Sequence, residues 1–119
     1  MANQPAGEGP GRLEGVHAML KKKYEADGAS CNVSFVIKAD VAEGFQTASV
    51  VGDFNNWDVT AHPMKRSKKG DFEARLLLAA GKEYQFRYYI DGERWVNDWN
   101  ADKYNETPYG DAENCVVIV

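Results

Sequence analysis

From Cys31 onward, apolar and polar positions alternate in short runs that turn residues interrupt. In CNVSFVIKA, Val33, Phe35, Ile37 and Ala39 fall on one face, the period of a strand with one buried side. FQTASVVGDF is a second run, with Val50 inward. HPMKRS is a short third, and Pro63 suits an edge because proline cannot donate to a ladder. DFEARLLLA places Phe72, Ala74, Leu76 and Leu78 together. KEYQFRYYI divides into Tyr84, Phe86, Tyr88 and Ile90 on one face and Gln85, Arg87 and Tyr89 on the other. ERWVN and NCVVIV complete the series. Gly70-Asp71 and Gly81-Lys82 separate runs. Asp91-Gly92, directly after Ile90, is a type I′ hairpin pair, because glycine takes positive φ without steric cost. No segment beyond residue 30 sustains a helical period. About seven short strands with frequent turns predict an all-β sandwich. Its expected core contains Val33, Phe35, Val50, Leu76, Phe86, Tyr88 and Val117.

The N-terminal text differs. Residues 1–18 are rich in Gly, Pro, Glu and Asn with no apolar period, which predicts a disordered and dispensable segment. MLKKKYEADGAS reads as an extension leading into the fold. The expected organisation is a disordered or extended tail over 1–29 and one folded domain over 30–119. The 119 residues suffice for a real core but fall far short of a (β/α)₈ barrel, which needs about 250 residues.

Charge and cysteine content narrow the function. Lys plus Arg number 14 and Asp plus Glu 18, a net charge of −4, which argues against a nucleic-acid partner. Lys21-Lys22-Lys23 reads as a solvated segment, and no apolar run approaches the ~20 residues of a membrane span. The first residues lack a basic n-region and an apolar h-region, so the expected location is the cytoplasm, with no membrane partner. Cys31 and Cys115 form no C-x-x-C pair, and His17 and His62 lie far from both in sequence, so zinc spacing is absent. Both cysteines are expected as half-buried reduced thiols.

Catalytic and metal chemistry find little support. Glycoside hydrolysis needs two carboxylates about 5–9.5 Å apart across a cleft. Asp53, Asp58 and Asp91 are already explained by turns; Asp98 and Asp102 are the other candidates. DWNADKYNE opens like a calcium loop, but its sixth position is Lys103 rather than Gly and its twelfth is Tyr109 rather than Glu. No cofactor and no metal are expected. The aromatics are more informative. Trp57, Trp95 and Trp99 all lie in or beside polar loops. An indole stacks on the C–H face of a sugar while neighbouring Asn, Asp, Lys or Arg collect the hydroxyls, and it also serves as an anchor in protein interfaces. A tryptophan packed over one end of the sandwich is the alternative.

VGDFNNWD, YQFRYYIDGERW and the closing YGDAENCVVIV together resemble the family 48 carbohydrate-binding modules. These include the glycogen-binding domain of the AMP-activated protein kinase β subunit and the early-set N-terminal domains of isoamylase and glycogen branching enzyme. The likeness covers roughly residues 30–119. It implies an immunoglobulin-like β-sandwich that binds α-1,4-linked glucans (glycogen, starch, maltooligosaccharides) without cleaving them. A glycogen-metabolising enzyme is the implied protein partner. By position in the family pattern, Trp57 and Trp95 are the stacking platforms, and Arg87 stands where the kinase subunit has a sugar-binding Lys. Tyr109 falls near its hydrophobic finger. Glu113 takes the sugar-contacting Asn position in strict register, and Asn114 takes it if the loop shifts by one. The competing reading is an accessory or protein-interaction domain, associated with amylolytic enzymes of the glycoside hydrolase family 13 type, that has lost the sugar site.

Overall fold

The computed structural model describes residues 15–106 and 113–119. Among them, ten strands run in chain order: β1 (Gly15–Val16), β2 (Ala18–Tyr24), β3 (Ser30–Ile37), β4 (Ala48–Gly52), β5 (Lys65–Arg66), β6 (Phe72–Ala79), β7 (Glu83–Ile90), β8 (Arg94–Asp98), β9 (Lys103–Glu106) and β10 (Glu113–Ile118). A single helical turn, α1 (Ala39–Ala42), follows β3, and a 3₁₀ turn over Asp53–Asn55 follows β4. No helix among the described residues is long and apolar enough to cross a membrane.

Two sheets pack as a sandwich. The second sheet, β2-β3-β6-β5, is antiparallel throughout. The first sheet is organised around β7. On one edge, β4 pairs with residues 86–90 of β7. The other edge is shared: β10 pairs with residues 83–86 and β8 with residues 88–90. β9 extends the sheet beyond β10, and β1 pairs in parallel beyond β8. Asp91 and Gly92 both take positive φ (55° and 68°), and the Glu93 N–H donates to the Ile90 carbonyl, the I′ turn expected from Asp-Gly, followed by one extra residue before Arg94.

The pattern of alternation explains the core. Val33 faces Leu76 across β3 and β6, and Phe35 lies opposite Leu20 on β2 and Ala74 on β6. From the first sheet come Val50, Phe86, Tyr88, Val96, Cys115 and Val117, all fully buried. The Phe35 and Phe86 rings meet edge-on at 5.1 Å, and Phe86 meets Tyr88 at 5.6 Å. Edge-to-face contact of this kind adds about 0.5–1.5 kcal/mol per pair beyond the burial of the rings. Every residue expected in the core is buried. Cys31 and Cys115 are buried free thiols, more enclosed than expected.

Three strands depart from expectation. β1 and β2 occupy residues assigned to the tail, and β9 lies in the loop before the last strand. Each is an edge strand, so its pattern is diluted. On β2 only Ala18 and Leu20 insert apolar groups inward. Lys22 takes the next inward position and reaches Asp102, near β9, at 2.7 Å. That partly exposed bridge ties the sheets at little net gain. HPMKRS also differs from expectation. Residues 62–64 run along β4, where the Val50 N–H donates to the His62 carbonyl and the Met64 N–H to the Ala48 carbonyl. Only then does the chain cross to the second sheet as β5.

Truncation tests whether β1 and the start of β2 belong to the folded unit. Removing residues through Ala18 takes buried Val16 and Ala18 out of the sandwich, at a cost of roughly 2–4 kcal/mol by lost burial. A fall in Tm of several degrees is expected; an unchanged melting curve would return this segment to the tail. Phe86→Ala is expected to cost about 3–5 kcal/mol in denaturant unfolding, because the ring is completely enclosed.

Candidate functional site

The turn after β4 is built around Asn55. Its side-chain oxygen accepts from the Gly52 N–H at 3.0 Å, and its amide donates to the Val50 carbonyl at 3.1 Å. Both amide ends are thereby assigned, so the second contact of that nitrogen, 2.9 Å to His62 Nδ1, uses the imidazole as acceptor. Phe54 packs against the core, its ring 5.6 Å from Phe35 and 6.2 Å from Tyr84. This anchor leaves the following residues to project. Asn56 and Trp57 both adopt left-handed φ (57° and 59°). Asn tolerates that region; for Trp it costs of order 1–2 kcal/mol. The surroundings enforce it. The Trp57 N–H donates to the Gly52 carbonyl at 2.9 Å, and the indole Nε1–H donates to Asp53 Oδ1 at 3.0 Å. The other oxygen of Asp53 accepts from the Gln85 N–H of β7 at 2.8 Å. The indole is therefore neither a core plug nor a loose flag. It is half-buried and held to the edge of β7 through one carboxylate.

Trp95 reaches the same place from β8. Its cross-strand partner is Tyr89, on the outer face of the first sheet, and the two rings lie 4.6 Å apart at 41°. Trp57 and Trp95 are 6.4 Å apart with their planes inclined by 55°. Three half-buried rings thus form one continuous aromatic surface in which Trp95 is tilted against both Trp57 and Tyr89. Tyr89 is fixed at its far end, its hydroxyl donating to the Gly92 carbonyl at 2.7 Å. Trp99 does not join them; it is 52% exposed and packs edge-on against His17 at 5.0 Å.

Arg87 lies elsewhere than expected in one respect. It shares the outer face with Tyr89, but it is only 4% exposed rather than a solvent-facing charge. The cause is the shared edge of β7: Arg87 sits where β10 ends and β8 begins. At that junction the Glu113 carbonyl accepts from Arg87 Nη2 at 3.3 Å and from Asn97 Nδ2 at 3.0 Å. Alternation on β10 also separates the two C-terminal candidates. Cys115 and Val117 point to the core, so Glu113 shares their side while Asn114 points to the outer face. Asn114 Nδ2 accordingly donates to the side chain of Gln85 at 2.9 Å. Tyr109 lies outside the described residues.

Beneath the junction is a polar knot that sequence reasoning missed. The Tyr88 hydroxyl donates to Asp98 Oδ2 at 2.9 Å, the other oxygen of Asp98 accepts from the Asn100 N–H, and the Asp98 N–H points to Cys115 Sγ at 3.0 Å. Burial raises the Asp98 pKa against the opposing effect of these bonds. Burial also pushes the Cys115 thiol up to about 12, so it is not a nucleophile. The signal was available: Asp98 lies two positions after inward-facing Val96, so the period of a strand carries it to the same side.

A family model described as the glycogen recognition site of AMP-activated protein kinase matches residues 33–119. The chain belongs to this family. Among its relatives are 1,4-alpha-glucan branching enzymes. That of Aspergillus oryzae is 39% identical over 69 residues, 57% of this chain and 10% of the enzyme. That of Rhodopseudomonas palustris is 40% identical over 79 residues, 61% of this chain and 10% of the enzyme. That of Butyrivibrio fibrisolvens is 36% identical over 55 residues, 46% of this chain and 9% of the enzyme. The chain thus matches about a tenth of the length of each. Membership in a glycogen-recognition family, with branching enzymes as relatives, makes this a glucan-binding type of module.

The turn can be perturbed without touching the rings. Asn55→Ala removes three hydrogen bonds and leaves the Gly52 N–H and Val50 carbonyl unsatisfied, at an expected cost of about 2–4 kcal/mol. Gly52→Ala is expected to act differently: an added Cβ would lie 2.2 Å from the Gln85 carbonyl oxygen, which forces β4 away from β7. Overpacking of this kind costs about 1–3 kcal/mol. Urea unfolding measures both, and a neutral result for Asn55→Ala would remove it as the organiser of the turn.

Proposed function

We propose that this module binds α-1,4-linked glucans such as glycogen, starch and maltooligosaccharides, without cleaving them, by stacking glucose rings on Trp57 and Trp95. The observation that carries the reading is the pair of inclined indoles 6.4 Å apart, half-exposed and fixed from below. Consecutive residues of an α-1,4 chain turn progressively, so they meet two tilted plates better than one flat plane. Tyr89 widens the platform, and Asn114 and Gln85 supply hydroxyl partners at its rim. Arg87 is assigned a positioning role: it holds the Glu113 carbonyl and with it the start of β10. Glu113 contributes through that backbone carbonyl.

The non-catalytic part of the proposal rests on how the carboxylates are used. Asp53 holds Trp57 and β7; Asp91 accepts from the Gln46 and Thr47 N–H groups; Asp58 accepts from both polar groups of Thr60, which lowers its pKa. Asp102 is committed to Lys22 and the Ile118 N–H. An associated glycogen-metabolising enzyme would supply the chemistry.

Calorimetric titration with maltoheptaose, with sedimentation on insoluble starch, tests the reading. Trp95→Ala is expected to weaken binding by about 1–3 kcal/mol, the scale of a ring at an interface hot spot. Trp57→Ala is expected to abolish most binding while costing the fold the Asp53 bond and part of the ring burial against Trp95, roughly 1–3 kcal/mol in all. Straight β-linked cellohexaose should compete poorly. Equal competition by cellohexaose, or full starch binding by the Trp57→Ala, Trp95→Ala double variant, would overturn the proposal.

A further inference from the structure

The opposite side of the sandwich has a chemistry of its own. On the outer face of the second sheet, cross-strand partners line up as Lys21–Ser34–Arg75 and Lys23–Asn32–Leu77. Lys65 faces Glu73 at the far edge. This face and its rim hold three open depressions of about 720, 350 and 230 Å³. Nine of the chain's 14 Lys and Arg residues line them, against four of its 18 Asp and Glu residues. A chain of net charge −4 therefore concentrates a local excess of positive charge on one side.

Most of that charge is unspent. Lys22 is bridged to Asp102, and Lys38 lies 4.0 Å from Asp71. Lys21, Lys23, Lys65, Lys68, Lys69 and Arg75 make no ion pair among the described residues. Protection of an exposed sheet edge accounts for lysines on β2. It does not account for Arg75, on the interior strand β6, nor for Lys68 and Lys69 in the turn before it.

We propose that this face docks an acidic segment of a partner polypeptide that also carries an apolar side chain. Two observations select a polypeptide over other polyanions. Single-stranded nucleic acid and sugar chains are held largely by stacking on aromatic rings, and no Phe, Tyr or Trp lines any of the three depressions. Leu77, in contrast, stands 61% exposed within the basic rows, an apolar contact point rimmed by charge. Docking here leaves the aromatic surface free, because the two outer faces look in opposite directions. One domain can therefore hold a glucan on one side and a protein on the other. The proposal does not depend on the glucan reading.

The test is calorimetric titration with a 12-residue peptide of Glu, Ser and two Leu, beside the same peptide with Leu replaced by Ser, and heparin. The Leu-containing peptide is expected to bind at low salt and weaken steeply as salt rises. The Lys21→Glu, Arg75→Glu double variant is expected to reduce affinity at least fivefold, and Leu77→Ser at least threefold, while Trp57→Ala leaves it unchanged. Unaltered melting curves show that the variants remain folded, whether or not maltoheptaose binds. Absence of peptide binding overturns the proposal. So does heparin binding as tightly as the peptide with no effect of Leu77→Ser, which would mean unselective attraction of polyanions. Self-association in sedimentation velocity that Lys21→Glu, Arg75→Glu abolishes would also overturn it, because the occupant would be a second copy of this chain.

Discussion

The structure depends on the divided edge of β7. One strand pairs with β4 along one side and hands its other side from β10 to β8 midway. That arrangement fixes three segments, β4, β8 and β10, against eight residues. It also couples core and site through parity. Phe86 and Tyr88 can face the core only if Gln85, Arg87 and Tyr89 face out, and a slip of one residue would exchange the two sets. The enclosed Phe35–Phe86–Tyr88 rings thus set the register that aligns Trp95 with Tyr89.

The strained Trp57 belongs to the same logic. A left-handed tryptophan persists only where its surroundings over-determine it. Here Asn55 holds the turn to β4, Phe54 holds it to the core, and Asp53 holds the indole to β7. If glucan stacks here as proposed, a ring already fixed would lose little rotamer freedom on binding, which removes one of the ordinary costs of association. Strain in the free protein and a prearranged surface are two descriptions of one turn.

How far the sequence could be read follows from where information is local. Alternation on β3, β6 and β7 is local, and so the core positions were readable, as was the Asp91-Gly92 hairpin. The VGDFNNWD turn was readable as a unit because its residues are contiguous, but the bonds by which Asn55 organises it were not. Edge strands were not, because their outward neighbours are solvent: β2 needs only Ala18 and Leu20, and KYNE in β9 contains no apolar alternation. The burial of Arg87 was invisible for a different reason. It depends on the end of β10 arriving beside it from residue 113, a contact 26 positions away. Likewise, only the strand boundary on β10 decides which of Glu113 and Asn114 faces outward.

Trp99 closes the account of the three indoles. It lies across Gly15, where an added Cβ would fall 1.8 Å from its Nε1, and against His17. It therefore covers the one parallel pairing among the described residues, and its ring contact is with His17 rather than with Trp57, Trp95 or Tyr89. The three indoles thus stand in two different surroundings, a ring pair on the outer face of the first sheet and a single ring over the first strand. Trp57 and Trp95, 6.4 Å apart, are close enough to exchange excitation and report on the surface they share. Trp99 responds to fraying of the first strand, so a change of colour without a change at the platform marks opening of the N-terminal edge.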